Sequence, residues 1–428
     1  MHKQNSLKRI YELCGINTLK VIYSKGYIIA MVLATALVLF AKIRVAMYPT
    51  QDSVGYVLDW MKQIKEVGIA KFYSIDADYS PLYLFMISLF TLVPTGTTMT
   101  VGAYTFFPEW MLTLKTCYFI FDILNALAVY LIIKSVTNDK TKAAIGYLIM
   151  VILPVQFINS AVWGNADSIY VCFLLYCIYF ALKNKGGFSM FFFGLALANK
   201  LQALFIAPFL VYLLLNRKIK LYKTVYAPLA VIASFIPAYV CGAGFFEPFA
   251  FYSRQLNGYS KLTLGCPNFW HLFSFSSKSE NIINRGAPYF ALAVIGVFFA
   301  IILMRNIKQT DSNLLAVAAF TVGITVFFLP HLHERYFYML DVLAVVYALS
   351  RKKNHIIILL MQLASGIAYY HYISGRYFIN LWGEDSVHIA AFIIVAVLTI
   401  LFIDIMKSEH TDTQTVLAAI YDKENRLK

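Results

Sequence analysis

The chain has 428 residues, of which 60% are hydrophobic and only 14% are charged, and its mean hydropathy is +0.67. Soluble proteins usually contain about 25% charged residues. The composition therefore excludes an ordinary soluble enzyme and predicts an all-α polytopic membrane protein. The formal net charge of +14 also suits nucleic-acid binding. We attribute it to topology instead, because Lys and Arg collect in the cytoplasmic loops of membrane proteins.

The apolar runs, read together with the charges of the loops, predict about 12 membrane segments in one unit over residues 1–428. The first span lies within 26–48 and is expected to be retained, because no small-residue cleavage site follows it. The basic arm 1–25 and the tail 407–428 are predicted to be cytoplasmic. Loop 216–223, with four Lys or Arg residues, is predicted to lie on the same side.

The first outer loop, 44–80, is predicted to be catalytic. Within it, apolar residues recur at helical spacing over 53–69 and predict an amphipathic helix at the bilayer interface. The apolar stretch 81–94 is short for a span and is predicted to be interfacial or re-entrant. Two further short pieces, 188–198 and 201–215, predict a hairpin of short helices.

Two acidic features stand out in the first outer loop. Asp52 follows the first span closely, and a carboxylate beside an acceptor hydroxyl is suited to act as a general base. The alternative is that Asp52 caps the following helix. Asp76 and Asp78 form a DxD motif that can hold Mg²⁺ or Mn²⁺, although such three-residue patterns are common by chance.

The segment 331–336 reads HLHERY. Its two His residues and Glu334 suggest a metal, but the spacing is not that of HExxH. A phosphate site fits better, because the planar guanidinium of Arg335 pairs with phosphate oxygens and His333 or Tyr336 can donate beside it. The alternative is a set of interfacial side chains. The predicted topology gathers these groups on the outer face, together with Arg254 and Arg376.

Three charged residues are predicted at membrane depth. Lys115 and Asp122 lie seven residues apart on one helix face and are interpreted mainly as a structural ion pair. Lys200 is predicted near the tip of the short-helix hairpin, where Lys200 and Gln202 would reach a lipid phosphate. The alternative for Lys200 is snorkelling to the interface.

Several short motifs follow one another over residues 40–340. They are Asp52, DYSPLY at 78–83, WGNADS at 163–168, KLQ at 200–202, Asn268 with Trp270, and HERYF at 333–337. Together they resemble integral-membrane glycosyltransferases of the GT-C class, which use polyprenyl-phosphate-linked sugars. The resemblance is closest to a bacterial mannosyltransferase-like group with WGQxDS and HERYF patterns. Asn165 stands where Gln is more usual, which leaves the sugar open.

The resemblance implies an inverting displacement on the extracytoplasmic face, in cell-envelope glycan or glycolipid assembly. Asp52 would be the catalytic base or a positioning carboxylate, and Asp78 the second acidic candidate. The acceptor would be a glycan, lipid or protein, with no nucleic acid, and Mg²⁺ or Mn²⁺ stays open because members of the class differ. The implied donor-binding residues are Arg335, His333, Glu334, Arg44, Lys200 and Gln202, and the implied pocket residues are Trp163, Asn165, Asp167, Asn268, Trp270 and Tyr336.

Two other functions compete with this interpretation. A transporter or lipid flippase would use Lys115, Asp122 and Lys200 as intramembrane charges, but no inverted repeat is evident and the polar groups gather on one face. A membrane metalloenzyme would use His331 and His333.

Overall fold

The computed structural model describes residues 16–257, 261–273, 277–374 and 386–409. Parts of the predicted cytoplasmic arm and tail, and Arg376, lie outside these residues. The described chain is almost entirely helical, which confirms the predicted class. Two small sheets were not predicted. Strands β1 (Met99–Val101) and β2 (Tyr104–Phe106) pair antiparallel, and strands β3 (Thr263–Leu264) and β4 (Leu332–His333) pair parallel.

The first long apolar helix is followed by a second helical segment, in the order that the sequence predicts. Helix α1 (Ile16–Val45) leads into a π-helical segment, Gln51–Leu58, which continues as α2 (Asp59–Val67). The predicted amphipathic helix over 53–69 is thus helical, but its first half is π-helical. Such segments are rare and occur often at functional sites. Its buried face consists of Val54, Val57, Leu58, Met61 and Ile64.

The short apolar stretch after the first outer loop forms a single ten-residue helix, α3 (Pro81–Phe90). Ser80 caps it by accepting a hydrogen bond from the Tyr83 amide at 3.2 Å, and proline suits the first helical position. Ten residues are too few to cross a bilayer. This length agrees with the predicted interfacial or re-entrant helix.

A long helix and a bent one follow. Helix α4 (Pro108–Thr137) has 30 residues. Helix α5 (Lys140–Ile152) ends just before Pro154, because a residue preceding proline is disfavoured in helical conformation. The chain resumes as α6 (Pro154–Phe157) and a second π-helical segment, Ile158–Trp163. The two halves are bent by 45°.

The predicted short-helix pair is present. Its first piece is α8 (Gly186–Asn199), which follows α7 (Asp167–Leu182) in the chain. Its second piece consists of a 3₁₀ segment and α9 (Ala207–Leu215). Lys200 lies between the two pieces in an extended conformation (φ −152°, ψ 136°), as predicted.

The second half of the chain is a set of helices with one irregular loop. Over all the described residues, including those of the first half, six helices are long and apolar enough to cross a membrane, or up to seven if the bent pair is one span. The predicted count of about 12 is therefore not confirmed. The helices of this second half are α10 (Tyr226–Ser234), α11 (Ile236–Val240), α12 (Ala250–Asn257), α13 (Ser277–Met304), α14 (Asp311–Phe328), α15 (Tyr338–Arg351), α16 (Ile356–Ser374) and α17 (Val387–Met406).

Two apolar clusters position the candidate site. The larger runs through the long helices and includes Trp163 and Tyr336, with α14 buried on almost every side. The smaller lies beneath the π-helical segment and α2 and includes Val57 and Trp60. Both clusters contribute to the candidate site, since Tyr336 of the larger cluster and Val57 and Trp60 of the smaller one line the same cavity.

The predicted Lys115–Asp122 ion pair is wrong. Asp122 pairs with Lys42 of α1, and Lys42 also donates to Ser160 Oγ at 3.0 Å. Lys115 donates instead to backbone carbonyls, as described below. Seven residues place two side chains on one face but about 10 Å apart along the axis, so each charge reaches a partner in another segment.

Candidate active site

Asp52 is the second residue of the π-helical segment, and its carboxylate does not cap that segment. Thr50 is the cap, since its Oγ1 accepts from the Ser53 amide at 3.1 Å, and the Ser53 hydroxyl bonds back to the Thr50 amide at 3.0 Å. Thr50 Oγ1 also donates to the Trp163 carbonyl at 2.6 Å. The capping interpretation of Asp52 is therefore wrong, and its side chain is available to the site.

Three side-chain donors surround the Asp52 carboxylate. Trp163 Nε1 and Asn165 Nδ2 donate to Oδ2 at 2.9 and 3.0 Å. The Tyr372 hydroxyl, from α16, donates to Oδ1 at 2.9 Å. The Tyr372 ring also stacks on Trp163, with centroids 4.2 Å apart. These contacts hold the carboxylate in one orientation.

The turn at Gly164 presents Trp163 and Asn165 to Asp52. Gly164 has a left-handed φ of +74°, and a Cβ there would lie 2.8 Å from Lys115 Cε, so the turn requires glycine. Lys115 Nζ donates to the carbonyls of Tyr48, Ala161 and Val162 at 2.7, 2.9 and 3.2 Å. Those carbonyls lie after α1 and at the end of the second π-helical segment. Lys115 thus joins the two segments that carry the site.

Two cations and two further carboxylates extend the network. Lys200 Nζ lies 2.5 Å from Asp167 Oδ1. The Arg335 guanidinium lies 3.5 Å from Asp52, 3.7 Å from Asp167 and 3.2 Å from Glu334. It also faces the Trp163 ring at 5.4 Å. All of these charges are wholly or largely buried, so their mutual pairing offsets a large desolvation cost.

The surroundings set the charge of three groups. Burial alone would raise the pKa of Asp52, but the Arg335 charge, the hydrogen bonds from Tyr372 and Trp163, and the Lys200 charge hold it below its usual value. Burial, assisted by Arg335, lowers the pKa of His333. Burial would also lower the pKa of Arg335, but the neighbouring carboxylates raise it. At neutral pH, Asp52 is ionised, Arg335 is charged and His333 is neutral.

A cavity of about 740 Å³ opens in front of Asp52. One side is aromatic, with Tyr56, Trp60 and Tyr79 in a row, and neighbouring ring centroids lie 6.2 and 5.4 Å apart. Asp52, Tyr56 and Trp60 are spaced by four residues. Since a π-helix has slightly more than four residues per turn, this spacing brings them close to one line. Another part of the lining, the apolar wall, consists of Leu201, Leu204, Phe205, Pro288, Leu329 and Leu332.

Comparison with known families identifies the family of this chain. The family model described as glycosyltransferase family 87 matches residues 77–330, more than half of the chain. The chain belongs to glycosyltransferase family 87. This is a GT-C-type family of membrane glycosyltransferases, which confirms the resemblance found in the sequence and supports glycosyl transfer over a transporter or flippase. No curated protein matches the chain.

In this family 87 glycosyltransferase, most of the predicted site residues converge. Trp163, Asp167 and Glu334 lie directly behind the cavity wall and hold its lining residues in place. Asp78 lies at the rim and is exposed. The predicted residues that line the cavity are Asp52, Asp78, Asn165, Lys200, Gln202, His333, Arg335 and Tyr336.

Besides Trp163, Asp167 and Glu334, three further predicted residues of the family 87 chain do not line the cavity. Arg44 is exposed near the end of α1, whereas Lys42, on another side of the helix, is buried. Asn268 Nδ2 donates to the Leu329 carbonyl at 3.1 Å, and Trp270 Nε1 donates to the Phe328 carbonyl at 2.6 Å. The last two residues therefore satisfy the free carbonyls at the end of α14.

Several cavity residues were not predicted. Tyr372 lies in an aromatic run of α16 that reads as an ordinary membrane-interface belt. Tyr56 and Trp60 lie on the predicted amphipathic helix without a motif of their own. The sequence places Arg254 with the outer polar residues but indicates no role for it, and it carries no signal for Gln255 beside it. The one sequence feature that could have indicated any of these cavity residues is the four-residue spacing of Asp52, Tyr56 and Trp60.

The described residues of this family 87 chain contain no group of three or more His, Cys, Asp and Glu side chains arranged to hold a metal. The carboxylates of the DxD motif, Asp76 and Asp78, are both exposed. His331, the first His of HLHER, bonds through Nδ1 with the Lys261 carbonyl at 2.8 Å. We therefore assign no residue to a metal.

Proposed function

We propose that this family 87 glycosyltransferase transfers a hexose, with mannose as the first candidate, from a polyprenyl-phosphate donor to an acceptor hydroxyl. The transfer would occur with inversion on the extracytoplasmic face of the cell membrane, in cell-envelope glycan or glycolipid assembly. Both termini would be cytoplasmic. The observation that carries this proposal is the oriented Asp52 carboxylate at the end of a cavity with one apolar wall.

Asp52 is suited to receive the proton of the acceptor hydroxyl. In the proposed reaction, the hydroxyl oxygen forms a bond to the anomeric carbon while the bond from that carbon to the phosphate oxygen breaks. The electron pair leaves with the phosphate, and the hydroxyl proton passes to Asp52. A carboxylate of lowered pKa is a weak base. It is sufficient here, because a hydroxyl becomes strongly acidic as its oxygen bonds to the anomeric carbon.

The apolar wall supports a lipid-linked donor. Leu201, Leu204 and Phe205 follow Lys200 directly, and Leu204 is exposed at 42% while it also lines the cavity. An exposed leucine at the edge of a polar cavity costs little in a membrane, where the surrounding lipid tails are equally apolar. The first isoprene units of the donor would lie here, with the sugar toward Asp52.

The aromatic wall supports a carbohydrate-bearing acceptor. Tyr56, Trp60 and Tyr79 offer ring faces on which the C–H groups of a sugar can pack, and their polar edges can hydrogen-bond its hydroxyls. Gln51, one residue before Asp52, also lines the cavity. A sugar on these rings would present a hydroxyl toward Asp52, which is why we favour a glycan or glycolipid over a protein acceptor.

The decisive experiment uses purified enzyme, short-chain polyprenyl-phosphate hexoses and a panel of glycan and glycolipid acceptors, with release of polyprenyl phosphate as the readout. Wild-type protein should release it, and Asp52→Asn should reduce turnover about 100-fold to 10,000-fold. The product's anomeric configuration, compared with that of the donor, tests inversion. No release from any donor in the hexose panel would contradict the proposed donor class.

Two aspartates of the same loop serve as controls. Asp76 is exposed and does not line the cavity, so Asp76→Asn should keep near wild-type turnover. Asp78→Asn tests the second acidic candidate. If Asp52→Asn keeps more than about a tenth of turnover while Asp78→Asn loses it, Asp78 is the base.

A further inference from the structure

Three cations line the cavity, and two of them are already paired. Lys200 lies 2.5 Å from Asp167, and Arg335 lies within 3.7 Å of Asp52, Asp167 and Glu334. In formal charge, three carboxylates face two cations, so this inner group carries one net negative charge. A phosphate placed beside Arg335 would be repelled by the carboxylates around it.

Arg254 is the third cation and differs in its surroundings. Its Nε donates to the Ala77 carbonyl at 3.2 Å. Within the described part of the chain, no carboxylate pairs with its guanidinium, and its other N–H groups have no acceptor. The side chain lines the cavity and is exposed. It therefore presents unfilled donors in the fork geometry that binds phosphate oxygens.

The contacts of Gln255 place Arg254 beside the apolar wall. Gln255 Nε2 donates to the Asp78 carbonyl at 2.7 Å, and its Oε1 accepts from the Leu201 amide at 3.4 Å. Leu201 begins the segment that lines the apolar side of the cavity. An anion held by Arg254 would thus have its lipid tail against that wall.

We propose that Arg254 binds the lipid-linked phosphate of the donor, while Arg335 organises Asp52 and its neighbouring carboxylates. This assignment rests on the proposed function and differs from the sequence prediction, which gave the phosphate to Arg335. When the anomeric bond breaks, the phosphate oxygen keeps the electron pair, and the leaving group changes from one negative charge to about −1.5 to −2. The Arg254 guanidinium would stabilise that added charge.

The test compares binding of farnesyl phosphate, farnesol and inorganic phosphate to detergent-purified protein by the shift of its thermal midpoint. Farnesyl phosphate shares the lipid and the phosphate of the donor, farnesol lacks the charge, and inorganic phosphate lacks the lipid. Wild-type protein should bind farnesyl phosphate best. Arg254→Gln should weaken that binding about tenfold or more and leave farnesol binding unchanged, and Arg254→Lys should lie between.

Arg285→Gln is the matched control, because Arg285 is an exposed arginine on α13 that does not line the cavity. It should bind farnesyl phosphate as wild type does. If Arg254→Gln also keeps full preference for farnesyl phosphate over farnesol while Arg335→Gln loses it, the phosphate lies at Arg335 and the assignment is wrong. If wild-type protein shows no such preference, the donor class itself is wrong.

Discussion

The Asp52 carboxylate and the Arg335 guanidinium attract each other electrostatically across 3.5 Å. Each side chain also has other partners that restrict its orientation. Trp163, Asn165 and Tyr372 occupy three of the roughly four hydrogen-bond acceptor positions of the Asp52 carboxylate. An acceptor hydroxyl therefore approaches the remaining position of a carboxylate that is already oriented. Such an arrangement favours precise positioning over high basicity. Arg335 lowers the pKa of Asp52 and so keeps it ionised in acid.

This coupling predicts a change in the pH dependence of turnover. The pKa of Asp52 lies below its usual value near 3.8, so wild-type activity should persist as pH falls toward that value and be lost only below it. Removing the Arg335 charge raises this pKa. Arg335→Gln should therefore move the acid limb of kcat/KM to higher pH, besides lowering kcat.

Arg254→Gln is the control for that pH profile, because the Arg254 charge is not among the main groups that shift the pKa of Asp52. Its acid limb should coincide with that of wild type. Thermal midpoints measured over the same pH range separate loss of activity from unfolding. An acid limb that stays in place in Arg335→Gln would show that Arg335 does not control Asp52.

Much of the residue-level site was predictable, and the failures have physical causes. Asp52, Lys200, Gln202 and Arg335 were found because polar groups between apolar spans are rare and costly. Asn268 and Trp270 share that signal, yet they satisfy backbone carbonyls, which sequence cannot distinguish from ligand binding. Arg44 was wrongly predicted to line the site, because the side of a helix that faces the core depends on packing.

At the scale of elements, the site depends on contacts between the start of the first π-helical segment and the end of the second. The Trp163 carbonyl accepts from Thr50, and Lys115 binds the two carbonyls before it. The periodicity of residues 53–69 predicted a helix but could not separate a π-helix from an α-helix over two turns. The bend at Pro154 was likewise not predicted, although proline explains it.

The turn at Gly164 predicts a stability change. Gly164→Ala places a side chain in a left-handed conformation, at a cost of about 1–2 kcal/mol, and sets its Cβ against Lys115 and Ser53 at 2.8 and 3.0 Å. The variant should unfold at lower temperature and lose turnover, because Trp163 and Asn165 are displaced from Asp52. Thermal unfolding and the release assay measure the two effects.

Gly102→Ala separates the backbone cost from the packing cost. Gly102 also has a positive φ, +59°, but nothing lies within 4 Å of its Cβ position. It should lose less stability than Gly164→Ala and keep its turnover. Equal losses in the two variants would mean that the contact with Lys115 and Ser53 is unimportant.

At the scale of the whole molecule, the loops predicted to be cytoplasmic lie together at one end. Lys218 pairs with Asp311 at 3.5 Å, and Arg305 donates to the Met406 carbonyl at 2.6 Å. Arg351 and Lys353 both pair with Asp404 at the end of α17. These contacts join several of the loops that the charges assigned to one side, whereas the predicted count of about 12 membrane segments is not confirmed, because it included short apolar helices.

Cysteine labelling tests the side on which that end lies. In a background lacking the native cysteines, Lys218→Cys should resist a membrane-impermeant thiol reagent in intact cells and react after permeabilisation. Lys71→Cys, at an exposed position of the first outer loop, should react in intact cells. Labelling of the first variant but not the second would reverse the proposed orientation.

The hydrogen bond from Tyr372 to Asp52 joins residues 320 positions apart in the chain. During synthesis, Asp52 leaves the ribosome long before α16 does, so the nascent protein holds an incompletely paired carboxylate while most of its helices are inserted. The site is then completed in one of the last assembly steps, as expected for contacts of large sequence separation. Any chain that stops short of α16 would therefore lack the third of the hydrogen bonds that orient Asp52.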